Sequence, residues 1–571
     1  MRRILLTSAL PYANGDIHLG YLLEAVQADI WARFQRARGN ECLYVCADDA
    51  HGTPVMLRAA EEGVPPEQWI AKMRDAHWRD LSAFDISMDH YGSTHSERNR
   101  ALSAAMYRKL RAAGRIAERE IEQLYDPQKK MFLPDRYVRG ECPRCGAAQQ
   151  YGDSCEKCGG VYEAAELKNP VSVFSGAAPV MKKSVHYFLR LADDSAFLRE
   201  WVFEHIADPS GGGNIPRLQK EAANKLQEWL LGELRDWDIS RDAPYFGFRV
   251  PDCDEEKYLY VWLDAPVGYM ASFAELCAGE NGEDDKAQQG GLCFDDFWGV
   301  RGREDTELYH FIGKDILYFH ALFWPAMLKN SGHRLPTRVF AHGFLTVNGE
   351  KMSKSRGTFI TARRYADSGL PPDALRYYYA TKLGDGIDDL DLHLGDFVQK
   401  VNGDLIGKLV NIPSRTAGFI AAKFGGKLDN DDQSGEGYAK VVAPLLAMAE
   451  SVAADFESRR YHSAVRAVMH AADTINSYVD ANAPWKIKND DSQRQKLHET
   501  CSAALRGFHL LTVYIQPVTP HLAQAARAFL QCPPLVWQGL RPLAAGHRIA
   551  PYAHLMARIK TADALIEKPQ Q

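Results

Sequence analysis

The chain has 571 residues, 46% of them hydrophobic and 25% charged, with a formal net charge of −6. These are globular proportions, and a core of this length has to divide into several domains. No apolar run reaches the ~18–20 residues of a membrane span, no global basic excess marks a nucleic-acid binder (a local basic surface would suffice), and eleven cysteines, four clustered and seven scattered, fit a reducing cytoplasm better than a disulfide framework.

Residues 1–10 begin like a short charged-then-apolar leader. Pro11-Tyr12-Ala13-Asn14-Gly15-Asp16 interrupts it without a cleavage signal, so a buried strand over 4–7 is expected. Leu19, Leu22, Leu23, Val26 and Ile30 then recur at helical spacing up to a stop at Gly39. Residues 41–47 read as the next strand, ending in Asp48-Asp49. This is a βαβ unit, the start of a doubly wound, Rossmann-type α/β sheet whose ligands bind at the carboxyl ends of its strands. Residues 1–115 are assigned to the first half of that catalytic domain. Residues 116–232 look inserted, with a cysteine knuckle at about 138–163. The α/β pattern resumes over 233–335, and 336–395 carry a lysine-rich loop and its surroundings; strands are expected at 258–263, 308–312 and 340–347. Over 396–540 the texture turns Ala/Leu-rich, and Val465, Val468, Ala472, Ile475 and Val479 share one stripe, which predicts an all-α bundle. Residues 541–571 read as a basic tail that docks back.

Three motifs carry chemistry. His18-Leu19-Gly20-Tyr21 sits where a loop feeds a helix N-terminus, whose free N–H groups and dipole favour phosphate. His18 adds a donor and Gly20 leaves room for a flat ring; read alone, the tetrapeptide is equally a helix start with a surface histidine. Lys351-Met352-Ser353-Lys354-Ser355 follows an Asn348-Gly349 turn, and its ammonium and hydroxyl groups suit a polyphosphate, or else a solvated basic loop. Cys142-Pro143-Arg144-Cys145 and Cys155-Glu156-Lys157-Cys158 are two C-x2-C knuckles nine residues apart, trailed by Gly146 and Gly159. That spacing places four thiolates around one structural Zn²⁺, against the alternatives of two disulfides or a redox pair.

The helix-start and lysine-rich motifs together resemble a class I aminoacyl-tRNA synthetase. Ala9-Leu10-Pro11-Tyr12-Ala13-Asn14-Gly15, Ala47-Asp48-Asp49-Ala50-His51-Gly52-Thr53, Trp237-Asp238-Ile239-Ser240-Arg241, Tyr260-Val261-Trp262-Leu263-Asp264-Ala265-Pro266 and Gly313-Lys314-Asp315 through Phe319-His320 to Phe323-Trp324-Pro325-Ala326 are similar to the methionyl-tRNA synthetase family, over nearly the whole chain. The resemblance implies ATP-dependent activation of methionine and its transfer to tRNA, with His18, Tyr21, Lys351 and Lys354 catalytic and Gly20, Ser353 and Ser355 among the ATP contacts. It implies a methionine pocket of Leu10, Tyr12, Trp262, Ala265, Pro266, Tyr269, Ile316 and His320, with Asp49 on the ammonium and Arg241 on the carboxylate. It implies anticodon reading by Asn411 and Arg415 with stacking on Trp485, Mg²⁺ with ATP, and a zinc knuckle near the tRNA acceptor end. Tyr21 departs from the family, which usually has a second histidine there; a phenol donates a hydrogen bond but carries no positive charge. Residues 400–427 hold five basic residues against Asp404, a local surface suited to RNA, and Pro413 implies a kink or a new helix start between Asn411 and Arg415. The insert of about 117 residues is short for the editing domain that branched-chain synthetases for Ile, Val or Leu need. A simple nucleotidyltransferase has no use for the helical domain with Trp485, and a non-enzymatic zinc-knuckle RNA-binding protein has none for the His18 and Lys351 motifs. The resembled family has members made dimeric by a further C-terminal module, which this sequence lacks, so a monomer is expected.

Overall fold

The computed structural model describes residues 1–134, 137–152, 155, 157–158, 160, 162, 164–279, 293–299, 305–352, 358–430 and 435–566. Strands that are apolar along their whole length have to be covered on both faces. Five strands, four of them largely buried and β3 a half-buried edge, form one parallel sheet: β1 (Arg3–Ser8), β2 (Glu41–Asp48), β3 (His90–Ser93), β4 (Thr306–Gly313) and β5 (Arg338–His342). Their spatial order is β5-β4-β1-β2-β3. The chain leaves β1 first towards β2 and β3 and later returns on its other side as β4 and β5. The switch point between β1 and β4 opens a crevice at their carboxyl ends, where the Ala9 N–H donates to the Phe311 carbonyl at 2.9 Å.

The expected strands at 4–7, 41–47 and 308–312 fall inside β1, β2 and β4. Two others need correction. The stretch expected as a strand at 340–347 is two elements: β5 ends at His342, and Leu345–Val347 belongs to a separate small sheet with Glu350–Lys351 and Leu390–Leu392. The break is at Gly343, where a Cβ would lie 2.0 Å from the Asp388 carbonyl oxygen. At 258–263 only Lys257–Leu259 is strand, and a helix, Val261–Ala278, begins immediately afterwards. A short aromatic and β-branched run suits a buried strand and a buried helix alike, and periodicity does not separate them.

The insert is built on a long antiparallel ribbon, Ile116–Asp126 against Val180–Leu189, and the cysteines lie in the segments that follow two strands, Val138–Glu141 and Gln150–Tyr151, of a small separate sheet. At the root, buried His186 contacts Asp238 at 2.7 Å and Asp242 at 2.9 Å, and buried Lys257 reaches Asp242 at 2.7 Å. The stripe Val465, Val468, Ala472, Ile475 and Val479 is buried on the helix Tyr461–Asn482, which packs with Asn411–Phe424 and Arg494–Ile515 in a C-terminal bundle. The segment after 541 runs back over this bundle, with Gly546 bonded to Asp429, Ile549 to Gly426 and Ile559 to Asn402. Among the described residues no helix is long and apolar enough to cross a membrane.

The first helix, α1 (Leu19–Ala37), is buried on nearly every side because it lies between sheet and bundle. Phe34 stacks on Phe456 at 5.3 Å, and the Tyr461 hydroxyl donates to the Gln27 carbonyl at 3.1 Å. At its centre Asp29 meets Arg376 at 2.6 Å, both side chains fully buried. Arg376 also donates to the carbonyls of Phe84, Pro517 and Val518, and Asp29 accepts from Arg33 and Ser87. Burial alone would raise the Asp29 pKa, but Arg33, Arg376 and Ser87 outweigh it and hold the carboxyl at about 2. Removing one partner of such a buried pair costs about 3–5 kcal/mol. Arg376→Met is therefore expected to lower the urea and thermal midpoints clearly, and the double variant with Asp29→Asn to recover part of the loss. Strictly additive losses would show that the two side chains do not interact.

Candidate active site

At the switch point lies a cavity of about 840 Å³, walled by the chain after β1, the start of α1, the end of β2 and the first turns of α2 (Val261–Ala278). His18 is the N-cap of α1. Its Nδ1 accepts from the Gly20 N–H at 3.1 Å and the Tyr21 N–H at 3.2 Å, while the Leu19 N–H goes to the Ile360 carbonyl at 2.9 Å. The expectation of free helix-start N–H groups for phosphate is thus corrected, since the first turn has satisfied its own donors. What faces a ligand is the helix dipole and His18 itself. A ring nitrogen accepting two N–H bonds keeps its lone pair, so the neutral ring carries its proton on Nε2. Burial lowers the His18 pKa, opposed by Asp315, which favours that neutral donor. The Tyr21 hydroxyl donates to the Ala9 carbonyl at 2.8 Å, bracing the end of β1.

The structure brings the flanks of the lysine-rich loop to the same place. Lys351 is exposed on a hairpin turned at Asn348 and Gly349, both at positive φ. Met352 lies so close to Gly20 that a Cβ there would sit 2.7 Å from its Cε. Ser353, Lys354 and Ser355 lie outside the described residues. Beyond them the Phe359 ring stands edge-on to His18 at 5.5 Å, and the Ala362 N–H donates to the Ile17 carbonyl at 2.8 Å.

The residues expected to hold methionine line this cavity together. Trp262, Ala265, Pro266 and Tyr269 share one face of α2, at helical spacing. Trp262 stacks flat on Phe319, centroids 3.6 Å apart, and a π-helical turn, Phe319–Phe323, carries His320. His320 Nδ1 donates to the Ile316 carbonyl at 3.1 Å, so Nε2 accepts from the Tyr269 hydroxyl at 2.8 Å. Burial holds its pKa down at about 4. Behind it Tyr269 stacks on His310, another buried and neutral ring, bonded to Thr7 and Trp324. Leu10 and Tyr12 close the near side, and Gly52, at φ +110, lets the Tyr12 hydroxyl approach where a Cβ would stand 2.8 Å away. Asp49 is fixed by backbone pairing with Tyr12, and its buried Oδ1 has no hydrogen-bond partner. Burial, with Asp264 nearby, raises its pKa well above the ordinary carboxyl value, so an incoming cation would stabilise its ionised form. Arg241 lies with its guanidinium 3.7 Å over the Tyr260 ring and 3.4 Å from Asp238.

Sequence reasoning missed Glu24, His77, Asp315 and His342, which also line the cavity. Glu24 Oε2 is 3.3 Å from His342 Nε2, and both are buried. The available signal was a lone acid inside Leu22-Leu23-Glu24-Ala25-Val26, since a charge within an apolar stripe is rarely there for packing.

Two further groupings stand apart. Cys142, Cys145, Cys155 and Cys158 place four sulfurs within 4.8 Å of one another, at 3.8 Å for Cys142–Cys158 and 3.6 Å for Cys145–Cys155. A disulfide needs ~2.05 Å, whereas a tetrahedron of ~2.3 Å Zn–S bonds has edges of ~3.8 Å, so this group could hold zinc. The N–H groups of Cys145 and Cys158 point at Cys142 and Cys155 sulfurs, as a thiolate requires. On the bundle, Asn411 opens the helix that contains Pro413, and Asn476 Oδ1 takes hydrogen bonds from both Asn411 and Arg415. Arg415 pairs with Asp480 and lies 4.8 Å over Trp485, whose ring is 39% exposed.

The profile of the family described as "tRNA synthetases class I (M)" matches residues 4–417. A "Methionine--tRNA ligase" from Thiobacillus denitrificans is 55% identical over 572 residues, covering 100% of this chain and 79% of that relative. One from Neisseria meningitidis is 52% identical, covering 100% and 81%. The solved Mycobacterium tuberculosis methionyl-tRNA synthetase in complex with methionyl-adenylate shares the fold, with a TM-score of 0.77 at 24% identity over 97% of this chain and 99% of that one. With a matching profile along most of its length and relatives of this similarity end to end, the chain belongs to the class I tRNA synthetases, among the methionine--tRNA ligases.

Proposed function

We propose that the cavity binds L-methionine and ATP, joins them as methionyl-adenylate, and hands the methionyl group to the 3′ end of a methionine tRNA. The observation that carries this reading is one cavity with a carboxylate that keeps one buried oxygen unpartnered, Asp49, a neutral aromatic layer of Trp262, Tyr269 and His320, and the His18 cap of α1. Asp49 would take the ammonium and Arg241 the carboxylate. The thioether suits the aromatic layer, being polarizable and uncharged. His320 is bonded at both nitrogens, so it offers the sulfur side no charge.

The substrates supply both nucleophiles: the methionine carboxylate attacks the α-phosphate and displaces pyrophosphate, and a ribose hydroxyl then takes the acyl group. The chain contributes position and charge stabilisation. His18 would donate through Nε2 to phosphate oxygen, and the ammonium groups of Lys351 and Lys354 would meet the polyphosphate. Mg²⁺ accompanying ATP would neutralise phosphate charge. Tyr21 would act through Ala9, as a brace. Cys142, Cys145, Cys155 and Cys158 would hold one structural zinc with no open ligand position. Asn411, Arg415 and Trp485 would read the anticodon.

Methionine-dependent exchange of pyrophosphate into ATP tests the reading; isoleucine, valine or leucine supporting exchange equally well would overturn the pocket assignment. Asp49→Asn should raise the KM for methionine about tenfold or more, since a hydrogen bond to a charged group contributes ~1.5–3 kcal/mol. Trp485→Ala should leave exchange unchanged and reduce tRNA charging at least tenfold, base stacking being worth ~1–3 kcal/mol; normal charging would make this residue merely structural. Metal analysis should find one zinc per chain, lost together with Cys142→Ser and Cys155→Ser in combination, and a zinc-free chain with four reactive knuckle thiols would refute the metal site.

A further inference from the structure

His77 lies on the helix Pro66–Ser82, fully buried in the cavity wall, outside every motif used above. Its Nδ1 is 2.8 Å from Asp48 Oδ1 and its Nε2 is 2.8 Å from the Gly15 carbonyl oxygen. A carbonyl only accepts. A carboxylate oxygen likewise only accepts, and this one also accepts from the Tyr91 hydroxyl, so both ring nitrogens have to donate, and only the imidazolium has two N–H groups. Gly15 belongs to the loop between β1 and α1, and Asn14, Gly15 and Asp16 line both the 840 Å³ cavity and a neighbouring groove of about 1970 Å³. That loop is the sill between the two spaces. The same helix holds it a second time, through the Trp69 indole N–H on the Ala13 carbonyl at 2.7 Å.

We propose that His77 is a positioning residue which, protonated on both ring nitrogens, ties the end of β2 to the Gly15 carbonyl and so keeps the loop ahead of His18 in the shape that receives the triphosphate of ATP. The inference rests on the reading of the cavity as the ATP site. Deprotonation leaves one lone pair facing an acceptor, so either Gly15 or Asp48 is released. The groups facing His77 are Asp48 on β2, Tyr91 on β3 and Asp16 in the loop, while Asp80 on its own helix is held by Arg79 and Arg363. Burial works against the charged ring, but Asp48, the Gly15 carbonyl and Asp16 outweigh it and raise the pKa above 6.5. The bracket is therefore complete below the ordinary histidine value and is lost as pH rises through the folded one.

The test is pyrophosphate exchange from pH 6.5 to 9.5 with ATP and methionine varied separately, for wild type, His77→Gln and His77→Phe. In wild type the KM for ATP should rise at least fivefold across the alkaline half, with the KM for methionine changing less than twofold. His77→Gln keeps a donor for Gly15 but does not titrate, and should flatten that limb. His77→Phe should raise the KM for ATP tenfold or more at every pH, with the KM for methionine within twofold. A wild-type limb surviving in His77→Gln, or equal effects on both KM values in His77→Phe, overturns the proposal; if His77→Phe does not fold, the His77→Gln profile decides. Absence of methionine-dependent exchange in wild type would sink the functional reading instead. The Kd for ATP, measured by titration calorimetry over the same pH range, then tests His77 by the same alkaline rise in wild type and its loss in His77→Gln.

Discussion

Asp29 and Arg376 meet where no water reaches, and the rest of the molecule is arranged around the helix they fix. α1 starts at the cavity with His18, passes between the parallel sheet and the C-terminal bundle, and is held at mid-length by a guanidinium that also bonds carbonyls on either side of it. A pair this deep contributes little net stability over an apolar replacement, but it is very costly to break. Its effect is to leave the helix one axial position. The cap, the Met352 contact with Gly20 and the Ile360 bond to Leu19 all inherit that position.

The histidines at the cap of α1 and around the aromatic layer of the cavity are held neutral by burial. His18, His310 and His320 all have their pKa values depressed by burial, and the bonds at His18 and His320 fix which nitrogen carries the proton. Against this background Asp49 carries a buried oxygen without a partner, as Glu24 also does. Low dielectric makes any charge brought beside it interact strongly. Under the proposed function, selectivity would come from where the protein leaves a polar atom unsatisfied and where it does not.

What the sequence shows and hides follows from how local the cause is. The α1 stripe, the strands flanking it and the four cysteines are legible because periodicity and ligand spacing are short-range properties. The helix start at Val261 is not, because it falls inside the aromatic and β-branched run 258–263, which has the composition of a buried strand, and only packing decides. The break at Gly343 depends on a carbonyl from residue 388, far along the chain. The donors of the α1 first turn look available in the sequence, whereas the neighbouring His18 ring uses two of them. His77 and His342 escape a reading of the sequence because their partners come from other strands and loops, and Glu24 shows there only as a lone acid in an apolar stripe, without its partner.

Arg415 is already engaged before any ligand arrives, by a carboxylate in front of it and an indole beneath it. An anion that binds the guanidinium exchanges places with Asp480, which is itself 58% exposed, so the exchange costs about 0–1 kcal/mol. In the anticodon role proposed for Arg415 and Trp485, Asp480 would act as an internal competitor for the guanidinium.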